Sequence, residues 1–142
     1  MSTQERALQI AAAAHAGQTD KNGEAYIFHP IRVMSRCSSP DAKIAALLHD
    51  VVEDTSVTFA QLAAEGFSPG VLATLRLLTR PHDVSYDDYL TGILTDPVAI
   101  EVKIADLEDN SDIRRFPAVD EHSLARIGKY LAAYRRLTGK PA

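Results

Sequence analysis

The sequence predicts an all-α domain, and three observations carry that expectation. Ala and Leu dominate the apolar residues while Val, Ile and the aromatics fall in no alternating runs, so the hydrophobic period is helical almost throughout. Helix-capping residues recur ahead of the apolar segments. Connections are mostly a few residues long, with no linker, internal repeat or low-complexity tract.

Taken in order, Ser2 with Glu5 forms a capping box for a helix carried by Ala7, Leu8, Ile10, Ala11 and Ala12 to about Ala16, where Gly17 stops it. The polar stretch GQTDKNGEA is a loop. Pro30 starts a short helix through Ile31, Val33 and Met34, and Ser38-Ser39-Pro40-Asp41 ends it and caps the next. That third helix, Pro40 to about Val52, is apolar nearly all round and belongs at the centre of a bundle. Thr58 with Gln61 caps a short helix stopped by Gly66; Ser68-Pro69 opens another through Leu78; Ser85 with Asp88 precedes a sixth. Asp96-Pro97 starts a long helix containing Ile104 and Leu107, and Asp120 caps a final one that reaches Thr138 before Gly139. The expectation is seven or eight helices.

A length of 142 residues suits one domain over 1-142, large enough to fold without disulfides or a structural metal. The single Cys37 allows no internal disulfide and suits a reducing cytosol. The N-terminal MSTQERALQI lacks a basic segment followed by an apolar one, and no apolar run approaches the ~18 residues of a spanning helix. The expected location is cytoplasmic. With 19 acidic against 15 basic residues and a net charge of -4, neither nucleic acid nor an anionic membrane is the expected partner. A small anionic ligand remains compatible with that balance.

Several residues stand out against the pattern of apolar inside and polar outside. His49 and Asp50 interrupt an apolar run, and a buried carboxylate needs a compensating cation or hydrogen-bond network. Neighbouring helical positions lie about 100° apart, so both side chains can reach one metal ion; the plainer alternative is a core histidine satisfied by its neighbour. Glu53 and Asp54 follow Asp50 by three and four residues and, on a continuing helix, crowd three carboxylates on one face. Asp106 sits among apolar inward positions with Lys103 and Asn110 on its stripe, whereas Lys103, Glu108 and Asp109 fit a solvated polar face. His29 precedes Pro30 at a helix start, where a histidine taken alone reads as a surface or capping residue. His15 reads as a partner for a helix C-terminus. His82 and His122 read as surface residues, and Tyr86 and Tyr89 as packing residues.

His29, His49-Asp50 and Asp106 together match the H…HD…D signature of the HD-domain phosphohydrolase superfamily. HAGQTDKNGEAYIFHP at 15-30, AALLHDVVEDT at 45-55 and VKIADLEDN at 102-110 resemble three motifs of the hydrolase domain of the Rel/Spo alarmone enzymes and of their single-domain relatives, the small alarmone hydrolases. The resemblance covers about residues 5-116. It implies an HD-domain helical bundle, a bound Mn²⁺ and removal of the 3′-pyrophosphate from (p)ppGpp-type nucleotides. It also implies metal ligands at His29, His49, Asp50 and Asp106, and a water-activating pair at Glu53 and Asp54. Lys21 and Asn110 correspond to substrate contacts, and Arg114 is a further candidate for holding phosphate. Asp20 stands where the family places a base-packing cation, and Ala25 where it places a proline. Asp20 favours an alternative HD phosphohydrolase acting on another nucleotide or phosphoester, such as an adenine alarmone or a nicotinamide dinucleotide phosphate. A nucleotide-sensing module without turnover is the third alternative, against which the intact Glu53 and Asp54 stand.

Overall fold

A computed structural model describes residues 3-139, which form nine α-helical segments and one 3-10 turn. They are α1 (Gln4–Ala14), α2 (Phe28–Ser35), α3 (Pro40–Leu48), α4 (Val51–Asp54), α5 (Phe59–Ala64), α6 (Pro69–Leu78), α7 (Tyr86–Ile93), α8 (Pro97–Asn110) and α9 (Glu121–Thr138), with the 3-10 turn at Ile113–Arg115 between the last two. An all-α fold is therefore observed; an isolated bridge between Thr19 and Ala25 pins the loop before α2. No helix among the described residues is long and apolar enough to cross a membrane.

Local chemistry explains most of the helix starts. Ser39, Ser68, Ser85, Asp96 and Asp120 each accept a backbone N–H of the first turn through the side chain, satisfying donors the helix cannot. Thr58 and Gln61 make a reciprocal capping box. Ser2 lies outside the described residues, and Thr3 caps α1 by accepting from Arg6 N. Gly139 ends α9 at φ +72°, the left-handed conformation that glycine adopts without a Cβ penalty.

Helix α3 is the hub, packed against α1, α2, α6 and α8. Its Ala42, Ala45 and Ala46 are fully buried, and their small side chains let neighbouring helices approach closely. Leu47 and Leu48 are also sealed, each contributing roughly 1.5–3 kcal/mol relative to exposure. The expected helix to Val52 is not continuous: α3 ends at Leu48, and Asp50, at φ -103° and ψ -3°, becomes the N-cap of the single-turn α4. Apolar periodicity runs across the break, because Val51 is as buried as Leu48.

Candidate metal centre and its cavity

Helices α2 and α8 and the α3/α4 junction bring four polar side chains to one point. His29 Nε2 lies 3.0 Å from Asp106 Oδ1 and 3.7 Å from Asp50 Oδ2. His49 Nε2 lies 3.1 Å from Asp50 Oδ2 and 3.3 Å from Asp106 Oδ1. His49 and Asp50 are consecutive residues at the break between α3 and α4, and both face this centre.

The outer ring nitrogens decide what that centre requires. His29 Nδ1 is 2.6 Å from Asp109 Oδ2, and His49 Nδ1 is 2.6 Å from the Ala46 carbonyl. Both partners accept, so Nδ1 carries the hydrogen in each ring and Nε2 of a neutral ring presents a lone pair. Those lone pairs face carboxylate oxygens, acceptor against acceptor. His49 Nε2 is sealed from solvent and makes no aligned hydrogen bond despite its nearby carboxylates. Only a cation relieves this arrangement, either a second ring proton or a metal ion. Two imidazole nitrogens and two carboxylate oxygens are a donor set for a divalent first-row metal, and the ligand atoms of His29, His49 and Asp50 lie within 4.8 Å of one another.

The protonation energetics agree. Burial lowers the His49 pKa, but Asp50 and Asp106 reverse this and hold it well above its usual value; His29 shifts upward through hydrogen bonds to Asp106 and Asp109 that outweigh burial. Burial raises the Asp50 pKa, yet His49 brings it down to about 2. Burial also raises the Asp106 pKa, but Lys103, His29 and His49 together hold it far below the usual carboxylate range. The carboxylates stay ionised and retain a positive charge between them.

An outer ring of partners orients these groups. Asp109 is fully buried and accepts from Arg32 Nε at 2.8 Å and Arg115 Nη1 at 3.0 Å as well as from His29. Tyr26 Oη donates to Asp50 Oδ2, Lys103 Nζ to Asp106 Oδ2 at 2.9 Å, and Asn110 Nδ2 to Asp106 Oδ1 at 3.1 Å. The solvated-face reading of Lys103 and Asp109 is thus corrected: both turn inward to satisfy buried charges. Asp109 lies one turn beyond Asp106, and that spacing was the available sequence signal. His15 is also buried, with Nδ1 2.9 Å from Gln18 Oε1 and its ring against Tyr26.

The cluster opens into a cavity of about 650 Å³ whose walls include Glu53, Asp54, Arg80, Tyr86, Lys103, Lys129 and Tyr130. Carboxylate oxygens of Glu53 and Asp54 gather within 4.8 Å of Asp50. Burial first, and then the charge of Asp50, raises both of their pKa values. A second cavity of about 640 Å³ shares Tyr26, Asn110 and Tyr130 with the first and adds Lys21, Arg115, Phe116 and Arg126. Lys21 and Asn110 both line this second cavity, and Asn110 lines the first as well. Arg114 does not: its exposed guanidinium pairs with Asp112 Oδ2 at 2.5 Å, and it lines neither cavity. The 3-10 turn presents Arg115 instead, a residue sequence reasoning missed along with Arg126, Tyr130 and Tyr26. His82 and His122 are exposed and sit on the cavity walls.

A family profile described as an HD domain matches residues 7–88, more than half the chain. The chain is 33% identical over 118 residues to a guanosine-3′,5′-bis(diphosphate) 3′-pyrophosphohydrolase of Aquifex aeolicus, an alignment covering 75% of this chain and 17% of that protein. It is 40% identical over 83 residues to a protein of the same name from Borreliella burgdorferi, covering 56% and 12% respectively. The chain thus spans less than a fifth of these relatives. Among solved structures, one described as a metazoan ortholog of SpoT that hydrolyzes ppGpp superposes with a TM-score of 0.77 at 24% identity, covering 100% of this chain and 89% of the other. The fold is shared.

Proposed function

The chain belongs to the HD-domain family, and we propose that residues 1-142 act as one cytoplasmic HD hydrolase domain that removes the 3′-pyrophosphate from (p)ppGpp-type nucleotides. The observation that carries this reading is the meeting of His29 and His49 Nε2 with Asp50 and Asp106 oxygens beside a cavity that Glu53 and Asp54 line. His29, His49, Asp50 and Asp106 would hold Mn²⁺, which suits mixed nitrogen and oxygen donors. When bound, such an ion polarises a phosphoryl oxygen and makes water a better nucleophile at neutral pH.

The remaining work falls to the chain. Glu53 and Asp54, whose raised pKa values bring them nearer neutrality, orient the attacking water and accept its proton. The water oxygen bonds to the inner phosphorus of the 3′-diphosphate, the bond from that phosphorus to O3′ breaks, O3′ takes a proton and pyrophosphate leaves. Lys21 and Asn110 border the path along which the rest of a nucleotide extends. The partner is a small phosphorylated nucleotide.

One observation favours a second reading with a different base. Asp20 Oδ1 accepts from the Asn22 and Glu24 amides, and its Oδ2 lies 3.6 Å from Arg115. Its charge is committed to its own loop and to Arg115, so base recognition here need not follow the guanine pattern. Metal analysis with a nucleotide panel tests both readings. Manganese-loaded wild type is expected to release pyrophosphate from ppGpp, and Asp50→Ala to release none. Absence of release by wild type rejects the alarmone assignment; turnover of another nucleotide selects the second reading.

A further inference from the structure

Lys103, Arg80 and Lys129 line the cavity beside the cluster, and among the described residues only Lys103 has a carboxylate partner. Lys103 is bound to Asp106 at 2.9 Å. Arg80 and Lys129 make no ion pair among the described residues, yet both lie over the same Tyr86 ring, with Lys129 Nζ 4.0 Å and Arg80 Cζ 5.6 Å from its centroid. Such contacts with a ring face hold cations in place without neutralising them. Arg80 is fixed at both ends of its residue: its amide donates to Glu53 Oε1 at 3.1 Å and its Nε to the Val84 carbonyl at 3.0 Å. No partner among the described residues takes the terminal nitrogens of its guanidinium. Lys129 meets repulsion here, since burial and then the charges of Arg80 and Lys103 lower its pKa.

Unpaired like charges converge where an anion is to be received. The cavity's four carboxylates, Asp50, Glu53, Asp54 and Asp106, face these three cations, and one divalent ion added to the balance leaves the space positive by a single charge. Resting on the hydrolase reading above, we propose that Arg80 and Lys129 form a subsite for the outer phosphate of a diphosphate whose inner phosphorus lies at the metal cluster, and so select diphosphoesters over monophosphoesters. The amide link from Arg80 to Glu53 couples this subsite to the water-activating pair. A monophosphoester places nothing there.

The test compares two substrates, a nucleoside 5′-diphosphate bearing either a 3′-diphosphate or a 3′-monophosphate, together with calorimetric binding of pyrophosphate and of inorganic phosphate at fixed free metal concentration. Lys129→Ala and Arg80→Ala are expected to lower kcat/KM for the diphosphate at least about tenfold while leaving the monophosphate within about twofold. Pyrophosphate binding weakens in parallel, phosphate binding does not, and Lys129→Arg restores both. Because both side chains are exposed, melting temperatures should match wild type. Equal losses on the two substrates, or no loss on either with pyrophosphate binding intact, overturn the subsite while the hydrolase reading stands. Wild type that hydrolyses neither substrate, yet prefers pyrophosphate over phosphate through Lys129, supports the subsite and rejects the hydrolase reading. Hydrolysis of neither substrate together with binding of neither anion overturns both.

Discussion

His29 Nδ1 meets Asp109 Oδ2 at 2.6 Å, a contact between residues 80 positions apart with no solvent access to the carboxylate. It fixes which ring nitrogen is protonated and therefore which one faces the cluster. Asp109→Asn replaces an acceptor-only group with an amide that can present its NH₂, so the ring loses its preferred tautomer. Metal affinity is expected to fall about 10- to 100-fold. Competition titration against a chelating dye measures it, and an unchanged affinity shows that the contact is only structural.

Glu53→Gln and Asp54→Asn separate chemistry from metal binding. Neither residue contacts the two histidines in the structure, so both variants should retain bound metal close to one equivalent. Loss of a positioned proton acceptor is expected to reduce turnover about 10²- to 10⁴-fold. Pyrophosphate release, read beside elemental analysis of the same samples, checks it. Full activity in both variants removes these residues from the proposed chemistry.

The helix pattern was legible because its signals are local. Ser39-Pro40, Ser68-Pro69 and Asp96-Pro97 each place a side-chain acceptor and a ring without an N–H where the first turn needs them. The break after Leu48 was not legible, since burial continues through Val51 and masks the turn. Lys103 and Asp109 misled for another reason: on a helix, polarity reads as exposure unless the partner is known. For Asp109 those partners, His29 and Arg32, lie 77 to 80 residues away. His29 taken alone read as a capping residue, and only the resemblance gave it a role as a ligand. Arg114 and Arg115 are indistinguishable in sequence, and the 3-10 turn decides which reaches the cavity.

Stability away from the chemistry has its own test in Glu101. Its Oε2 accepts from Ser38 N at 2.6 Å and its Oε1 from Ser39 Oγ at 3.0 Å, tying α8 to the N-terminus of α3. Its pKa falls below the usual value because these bonds outweigh burial. Glu101→Ala is expected to cost about 1 kcal/mol, a drop of roughly 3–6 °C in Tm. Thermal denaturation measures the drop, and metal affinity in the same variant should be unchanged.

Proton and metal compete for one position, which sets the pH behaviour of the metal-free protein. His29 and His49 have raised pKa values in the fold, so the stability they supply is fully present below their unfolded value of about 6.5 and is lost as pH rises through the folded values. Asp50 has the opposite sign: held at about 2, it contributes above its ordinary 3.8, and that contribution disappears as pH falls through 2. Asp106 acts in the same direction. The metal-free protein should therefore be most stable between about pH 4 and 6.5 and weaken on the alkaline side. A divalent ion takes the place of the ring protons, so the loaded protein should keep its stability at pH 8 and release protons on binding. Metal affinity should correspondingly fall as pH drops through the raised folded values of His29 and His49. Melting curves with and without Mn²⁺ across pH 4–9 check the stabilities, and calorimetry in two buffers of different ionisation enthalpy counts the protons. A metal-free protein whose Tm rises steadily from pH 6 to 9 contradicts the assignment of a shared cation to these four side chains.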